Sequence, residues 1–294
     1  MPEHQRPEHF DEVTGTATTG HEWDGLRELN TPLPRWWLWV FYATIIWSIG
    51  YWIVYPSWPL ISGYTPGLFG WQSRNVIVND LAGLKAIRGP MADKLADASL
   101  QQILNDEQLV AFARAQARPI FNENCAACHG SGGAGAKGYP NLNDDDWLWG
   151  GKLDDIVATI RHGIRSTDDK TRLGSMPAFG RDGMMKRADI DTVADYVRSI
   201  ARLPIEPKAD LVAGKKIFAD SCASCHGEAG KGKRDMGAPD LTDAIWLYGS
   251  DKSAIVDGLW NGRAGVMPAW AARLDDSTIK ALTVFVHTLG GGEK

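Results

Sequence analysis

The chain has 294 residues, 44% of them hydrophobic, and a formal net charge of −5. This hydrophobic fraction is ordinary for a globular protein and excludes a polytopic membrane protein, and the length suffices for two modest domains with additional segments. The net negative charge argues against a nucleic-acid-binding protein, which usually presents a basic face.

Residues 1–35 form a polar arm with three arginines against seven acidic residues. The positive-inside signal therefore rests mainly on Arg35, next to an apolar segment. Charge alone does not decide the orientation of a membrane span here.

Residues 36–58 are predicted to be a transmembrane anchor. No Asp, Glu, Lys, Arg or His occurs from Trp36 to Ser73, and an apolar run of 20 residues, 36–55, ends before Pro56. That length crosses the hydrocarbon core of a bilayer, and tryptophans mark both ends. The alternatives are a buried helix of a soluble protein and a cleavable signal peptide, but 35 polar residues precede a run longer than a signal core. With no ionisable residue, the anchor supplies neither a charged proton relay nor a histidine ligand.

Residues 59–107 are predicted to be a connector between the anchor and the C-terminal two thirds of the chain. The segment 60–75 is rich in Gly, Pro and Trp, and 76–104 is polar with a helical pattern. We therefore expect a short irregular stretch and then a helical link.

The four cysteines of the chain all lie in two C-x-x-C-H motifs, Cys125, Cys128 and His129 in the first, and Cys222, Cys225 and His226 in the second. This motif is typical of covalent heme c attachment: two thiols form thioethers with the heme vinyl groups, and the histidine becomes the proximal iron ligand. A thioredoxin-like pair does not need the histidine, and a four-cysteine zinc site would leave both histidines unexplained. The sequence predicts two covalently bound hemes c.

Met176 and Met267 are the candidate distal ligands. Each is followed by Pro, Ala and an aromatic residue, and proline suits a stiff loop that directs a sulfur towards iron. The other methionines considered are interpreted as core residues, namely Met91, Met184, Met185 and Met236. His162 and His287 are interpreted as structural or surface residues.

The similarity between the two copies extends beyond the motifs. In both, glycine comes after the histidine, then Pro-x-Leu and Trp-Leu-aromatic-Gly. Helices are predicted to lead each copy (109–123; 211–221) and to close it (187–202; 276–290). We expect Tyr196 and Phe285, on the closing helices, to pack onto the leading helix of their own copy. The fold class is therefore mainly α: one N-terminal transmembrane helix, then two tandem class I cytochrome c domains, 108–203 and 204–294, joined by the turn at 203–207.

The segment DEVTGTATTGHEWDGLRELNTPLPRWWLWVFYATIIWSIGYWIVYPSWP, with the two copies after it, resembles the diheme cytochrome c subunit (subunit III) of cbb3-type cytochrome c oxidase. The resemblance covers essentially the whole chain, and GHEWDGLRELNTPLPRWW is its most specific part. The chain differs from some members of that family, which have two transmembrane helices where one is predicted here.

The resemblance implies an electron-transfer subunit of a bacterial inner-membrane oxidase that is not itself catalytic. Electrons would come from a cytochrome c or a bc1 complex and pass to a monoheme cytochrome c subunit and then to the heme–copper catalytic subunit. In bacteria, heme is expected to be attached to C-x-x-C-H motifs on the outer side of the inner membrane. This expectation places the N-terminus in the cytoplasm and the heme domains in the periplasm.

Two alternatives remain at this point. The chain could serve a periplasmic dehydrogenase, which the specific N-terminal arm disfavours, or act as a diheme peroxidase, which two Met-Pro ligands disfavour. The pairing of ligands is also open: proximity pairs Met176 with His129 and Met267 with His226, and spacing does not exclude the crossed arrangement.

Overall fold

The computed structural model of the protein describes residues 10–294. The first nine residues of the predicted polar arm lie outside this range. The chain divides into two compact units, one ending at Lys85 and one spanning Ala86–Lys294, and each is described by itself.

The first unit contains two hairpins and a long apolar helix. Its elements are β1 (Thr18–Trp23), β2 (Leu26–Leu29), α1 (Arg35–Val54), β3 (Pro59–Leu60) and β4 (Gly63–Tyr64). The β1–β2 hairpin was not anticipated; its turn is Asp24-Gly25, both with positive φ, which suits the twist of paired strands. Its residues are exposed except for Thr18, and within it Arg27 pairs with Glu22 at 2.6 Å.

The predicted anchor is a helix. Helix α1 has 20 residues, begins after Pro34 and ends before Tyr55, and none of its residues is buried in the part of the chain that the structure describes. Among residues 10–294 it is the one helix long and apolar enough to cross a membrane. A largely apolar surface that the protein does not bury is the expected state of a helix that lipid covers.

The second part of the connector is helical, as predicted, with a break between its two helices, while the first part, predicted to be irregular, contains the short β3–β4 hairpin. Helix α2 (Ser73–Asp97) includes Pro90, and α3 (Leu100–Leu104) starts at a capping box in which Ser99 and Gln102 satisfy each other's backbone N–H groups. The side chains of Leu95 and Ile103 are fully buried, so the end of this link belongs to a hydrophobic core.

The remaining helices are α4 (Glu107–Asn124), α5 (Ala126–His129), α6 (Leu153–His162), α7 (Arg187–Ile200), α8 (Leu211–Ser221), α9 (Ala223–His226), α10 (Lys252–Asn261) and α11 (Asp276–His287). The leading helices α4 and α8 and the closing helices α7 and α11 lie where the sequence predicts them. Aspartates cap three of them by accepting backbone N–H bonds, namely Asp106, Asp210 and Asp275.

The closing helices are exchanged between the two copies. Helix α11 packs on α4 and α6, and α7 packs on α8 and α10. Phe285 of α11 contacts Phe121 of α4 at a ring distance of 5.2 Å, and Tyr196 of α7 contacts Phe218 of α8 at 5.4 Å. The expectation that each closing helix packs onto its own copy is therefore wrong. It relied on order along the chain, whereas the apolar faces of α7 and α11 pack against the leading helix of the other copy.

Two hydrophobic cores result. We call them the first core and the second core, after the first and second C-x-x-C-H motifs that they contain. The first core contains α3, α4, α6 and α11, and the second contains α7, α8 and α10. Polar contacts show the same exchange: Arg114 of α4 donates to the carbonyl of Thr288 at 2.6 Å, and Lys252 of α10 pairs with Asp195 of α7 at 2.8 Å. The boundary between 203 and 204 separates sequence repeats, while each core draws on both repeats.

Candidate heme-binding sites

Each C-x-x-C-H motif lies at the junction of a leading helix and a four-residue helix. Cys125 ends α4 and precedes α5, and Cys222 ends α8 and precedes α9. Both cysteines have φ −116° and ψ −34°, and in both copies the N–H of the cysteine donates to a phenylalanine carbonyl at 2.8 Å. The two motifs therefore share one backbone conformation, and all four thiols are free.

The imidazole rings are oriented by backbone carbonyls. Nδ1 of His129 lies 3.0 Å from the carbonyl oxygen of Pro140, and Nδ1 of His226 lies 3.0 Å from that of Pro239. With the proton on Nδ1 donated to the carbonyl, Nε2 keeps its lone pair for a metal. The sequence repeat contains both prolines, but their carbonyl role emerges only from the fold.

Burial sets the protonation of these groups. It raises the pKa of the Cys125 and Cys222 thiols to about 11, with the neighbouring Cys128 and Cys225 as smaller causes. Burial also lowers the pKa of His226, against a smaller opposing effect of its bond to Pro239. In the heme-free chain the two thiols are thus protonated at neutral pH, and the His226 imidazole is neutral, which is the form that binds iron.

The methionine loops are held by reciprocal backbone bonds to the other copy. Ile164 and Met267 exchange N–H···O bonds of 2.9 and 3.0 Å, and Met176 and Arg263 exchange two of 3.0 Å. Ile164 and Arg263 each follow a glycine with positive φ that terminates a helix. These glycines are Gly163 after α6 and Gly262 after α10. A Cβ atom at Gly163 would stand 2.3 Å from the Met267 carbonyl oxygen, so this approach requires glycine.

Each methionine packs against the core of the other copy. Met267 contacts the first core together with Cys125, and Met176 packs against the second core, which includes Cys222. The aromatic residues of the two loops show the same pattern, because Trp270 belongs to the first core and Phe179 to the second. Each distal candidate therefore packs against the core that contains the C-x-x-C-H motif of the other copy.

The other histidines have different partners. Nδ1 of His162 lies 3.0 Å from a carboxylate oxygen of Asp168, and Nε2 of His287 lies 2.8 Å from the carbonyl oxygen of Glu293. Both contacts agree with structural roles.

The core interpretation of the other methionines holds for Met91 and Met185, which pack against the two cores. It is wrong for Met184 and Met236, which are 62% and 42% exposed. A sequence pattern alone does not separate a buried methionine from a surface one when neither lies on a clear apolar helix face.

The donor set fits heme c better than zinc. Among residues 10–294 no group of three or more His, Cys, Asp or Glu side chains is assembled as a metal site, so the two cysteine pairs do not combine. Each motif instead offers two free thiols, an imidazole with a free Nε2 and an apolar wall that includes a methionine from a proline-stiffened loop. These are the groups that a covalently bound, six-coordinate heme requires.

Comparisons with known proteins identify the family. The family described as "Cytochrome C oxidase, cbb3-type, subunit III" matches residues 112–197 and 209–286, and the "N-terminal domain of cytochrome oxidase-cbb3, FixP" matches residues 15–62. The chain belongs to the cbb3-type cytochrome c oxidase subunit III family. The N-terminal match covers the unanticipated β1–β2 hairpin and helix α1, so the hairpin is part of a family domain.

Similar proteins cover nearly the whole chain. The Cbb3-type cytochrome c oxidase subunit FixP of Bradyrhizobium diazoefficiens is 60% identical over 97% of this chain and 98% of its own length. The FixP subunit of Azorhizobium caulinodans is 56% identical over 96% of each chain, and the CcoP subunit of Azospirillum brasilense is 50% identical over 96% of this chain and 98% of its own. The chain is thus an electron-transfer subunit of a cbb3-type oxidase, binds heme c, associates with other oxidase subunits and is anchored in a membrane.

Proposed function

We propose that the chain carries two hemes c, one attached to Cys125 and Cys128 and one to Cys222 and Cys225, with His129 and His226 as proximal ligands. The identical backbone of the two motifs and the equal 3.0 Å bonds from each imidazole to a proline carbonyl support equal use of both sites. Symmetric construction of this kind argues against one motif having lost its cofactor.

The distal ligands in this proposal are crossed. Met267 completes the site of His129, and Met176 completes the site of His226. The observation that carries it is the packing of Met267 with Cys125 in the first core and of Met176 in the core of Cys222. The exchanged helices α7 and α11 support it independently, because the segments after each methionine continue into the other core.

Heme c, when bound, supplies an iron that alternates between the ferric and ferrous states. The protein would hold the heme and set its reduction potential. The cysteines of each motif would tether the group, the carbonyl-oriented imidazole would bind its iron, and the methionine sulfur would favour the ferrous state. With both kinds of ligand supplied by the protein, the sites would serve as electron carriers and not as sites of oxygen binding.

The subunit in this proposal receives electrons from a cytochrome c or a bc1 complex and passes them to the monoheme cytochrome c subunit, from which they reach the heme–copper subunit that reduces oxygen to water. The N-terminal arm is cytoplasmic, helix α1 spans the inner membrane once, and both heme cores are periplasmic. The names of the relatives and the apolar, unburied surface of α1 support this assignment.

The test uses Met176→Ala and Met267→Ala in the purified oxidase, with Met184→Ala as the control because Met184 is 62% exposed. Each ligand variant is expected to keep both covalent hemes, lose the part of the far-red thioether-to-iron absorption that one heme contributes, and lower one midpoint potential. Oxygen reduction driven by cytochrome c slows, while an artificial donor that reduces the catalytic subunit directly supports normal turnover. Full far-red absorption in both variants would disprove the ligand assignment.

The anchor is tested by replacing residues 1–58 with a cleavable signal peptide. We expect a soluble diheme protein, because α1 is the apolar span among the described residues. Retention of the truncated protein on membranes that lack the partner subunits would contradict a single anchor.

A further inference from the structure

Arg165, in the loop after α6, has an unusual backbone conformation. Its φ is +50°, in the left-handed region that non-glycine residues rarely adopt. Such a conformation is strained and persists where the surroundings impose it, often at functional positions. In the other copy the corresponding residue, two after the glycine that ends α10, is Ala264. The feature therefore breaks the symmetry of the repeat.

The guanidinium of Arg165 binds both methionine loops. Its Nε donates to the carbonyl oxygen of Gly265 at 2.6 Å, and its Nη1 donates to the carbonyl oxygen of Gly174. Gly265 lies two residues before Met267, and Gly174 lies two residues before Met176. One side chain thus connects the segments that lead into the two distal ligands, which belong to different copies.

The base of this side chain is fixed to α6. The N–H of Arg165 donates to the carbonyl of Arg172 at 2.7 Å, and the hydroxyl of Ser166 donates to the carbonyl of His162 at 2.7 Å. The guanidinium of Arg172 in turn donates to the hydroxyl of Thr159 at 3.0 Å. The loop is therefore held on the helix, and the Arg165 guanidinium has a defined position from which to bind two carbonyls.

Within residues 10–294 no ion pair involves the Arg165 guanidinium, whose hydrogen bonds go to the two carbonyls. Burial lowers the pKa of Arg165, and Tyr248 opposes this shift to a smaller extent. A positive charge in a partly buried position, bonded to both methionine loops, would stabilise the state with the added electron at both heme sites. It also makes the hydrogen bonds to the two carbonyls stronger than neutral ones.

We propose that Arg165 is a positioning residue that fixes both methionine loops through one guanidinium and raises the reduction potential of both hemes. The proposal rests on the ligand roles of Met176 and Met267 proposed above. A side chain that only closed its own loop would bind Gly174 alone; the second bond, to Gly265 of the other repeat, is what links the two sites.

The experiment measures amide hydrogen exchange of the peptides around 172–178 and 263–269, together with both midpoint potentials, in the purified complex. The variants are Arg165→Ala and Arg165→Lys. Lysine keeps the charge but lacks the planar fork that reaches two carbonyls. Arg181→Ala is the matched control, because Arg181 lies shortly after Met176, is exposed and pairs with the adjacent Asp182 at 3.3 Å.

For Arg165→Ala we expect exchange in both peptides to rise about tenfold, from the loss of charge-assisted bonds, and both potentials to fall. Arg165→Lys should accelerate exchange in at least one peptide while lowering the potentials less. Arg181→Ala should change neither peptide.

The proposal is overturned if Arg165→Ala changes one peptide only or neither, or if Arg165→Lys matches the unmodified protein in both peptides. Far-red absorption separates this failure from that of the ligand assignment. If a methionine variant keeps the full far-red band, that methionine is not a ligand. Amide hydrogen exchange near Gly174 and Gly265 reports on the Arg165 bonds whichever groups bind iron.

Discussion

The two heme cores share one motif geometry and differ in how they are enclosed. Around the first motif, the chain after α11 returns as a cover: Trp147 donates its indole N–H to the carbonyl of Gly291 at 2.6 Å, and the N–H of Glu293 donates to the carbonyl of Gly151 at 2.9 Å. Around the second, the matching Trp246 donates at 3.2 Å to Asp243, three residues away. The tryptophan near the first motif is thus held by the C-terminal segment, and the matching tryptophan near the second motif is held by a residue of its own loop.

This difference shows which features of a heme site a short segment can specify. The cysteines, the histidine and the helix junction arise within one copy, so both copies have them in the same form. The distal methionine and the closing helix come from the other repeat in both cores. The copies diverge in the cover, because Trp147 bonds to the segment after α11 whereas Trp246 bonds within its own loop. Exchange of α7 and α11 makes each core depend on both repeats.

The largest effect is expected from removing one pair of thiols. Cys125→Ala with Cys128→Ala should leave one covalent heme per chain, because attachment depends on the local motif. Cys222→Ala with Cys225→Ala is the matched variant. Mass spectrometry of the denatured protein counts the hemes; loss of both in either variant would contradict independent attachment.

Exchange of the closing helices is tested by Phe285→Ala and Tyr196→Ala. Phe285 is 6% exposed, and its truncation is expected to destabilise the first core by about 3–5 kcal/mol. Hydrogen exchange should rise in α4 for Phe285→Ala and in α8 for Tyr196→Ala. The reverse pattern would mean that each helix closes its own copy.

The unequal covers are tested by Trp147→Phe and Trp246→Phe. Both changes keep an aromatic ring and remove the N–H donor. The first should destabilise its core by about 1 kcal/mol, because the lost bond holds the C-terminal segment, and the second by less. Thermal unfolding measures both, and an equal loss would show that the segment after α11 is not held by this bond.

The smallest effect concerns Asp146, which stands where the second copy has Ile245. Burial first, and then the nearby carboxylates of Asp243 and Asp144, raise its pKa to about 6 from the usual 3.8. Between these values the folded state binds more protons than the unfolded state, so stability falls as pH rises through this window. Asp146→Asn should remove that slope.

At neutral pH the Asn variant should unfold at a temperature higher by about 2 °C or less, since solvent screens a half-buried group. The difference should vanish in strong acid, where both side chains are neutral. A lower unfolding temperature of the variant at neutral pH would show that the ionised Asp146 stabilises the fold.

Much of this architecture is predictable from the sequence; apart from the local β1–β2 hairpin, the main exceptions arise from contacts between the two copies. The apolar run predicts α1, the amphipathic patterns predict α4, α7, α8 and α11, and the cysteine motifs predict heme c. Contacts between copies are not predictable, because Phe121 and Phe218 present equivalent apolar faces and the pattern does not say which closing helix packs on which. The Arg165 bridge and the proline carbonyls depend on that choice and on backbone direction.

Crossed ligation is the central claim, and nuclear magnetic resonance of the ferrous protein tests it most directly. Isotope-labelled methionine methyl groups, assigned with the Met176→Ala and Met267→Ala variants, identify the ligands by their strong upfield shifts. Proton contacts then connect each methyl to one heme and to the thioether protons of its cysteines. The account predicts that Met267 connects to the heme of Cys125 and Cys128, and Met176 to the heme of Cys222 and Cys225; connection of Met176 to the heme of Cys125 would contradict it.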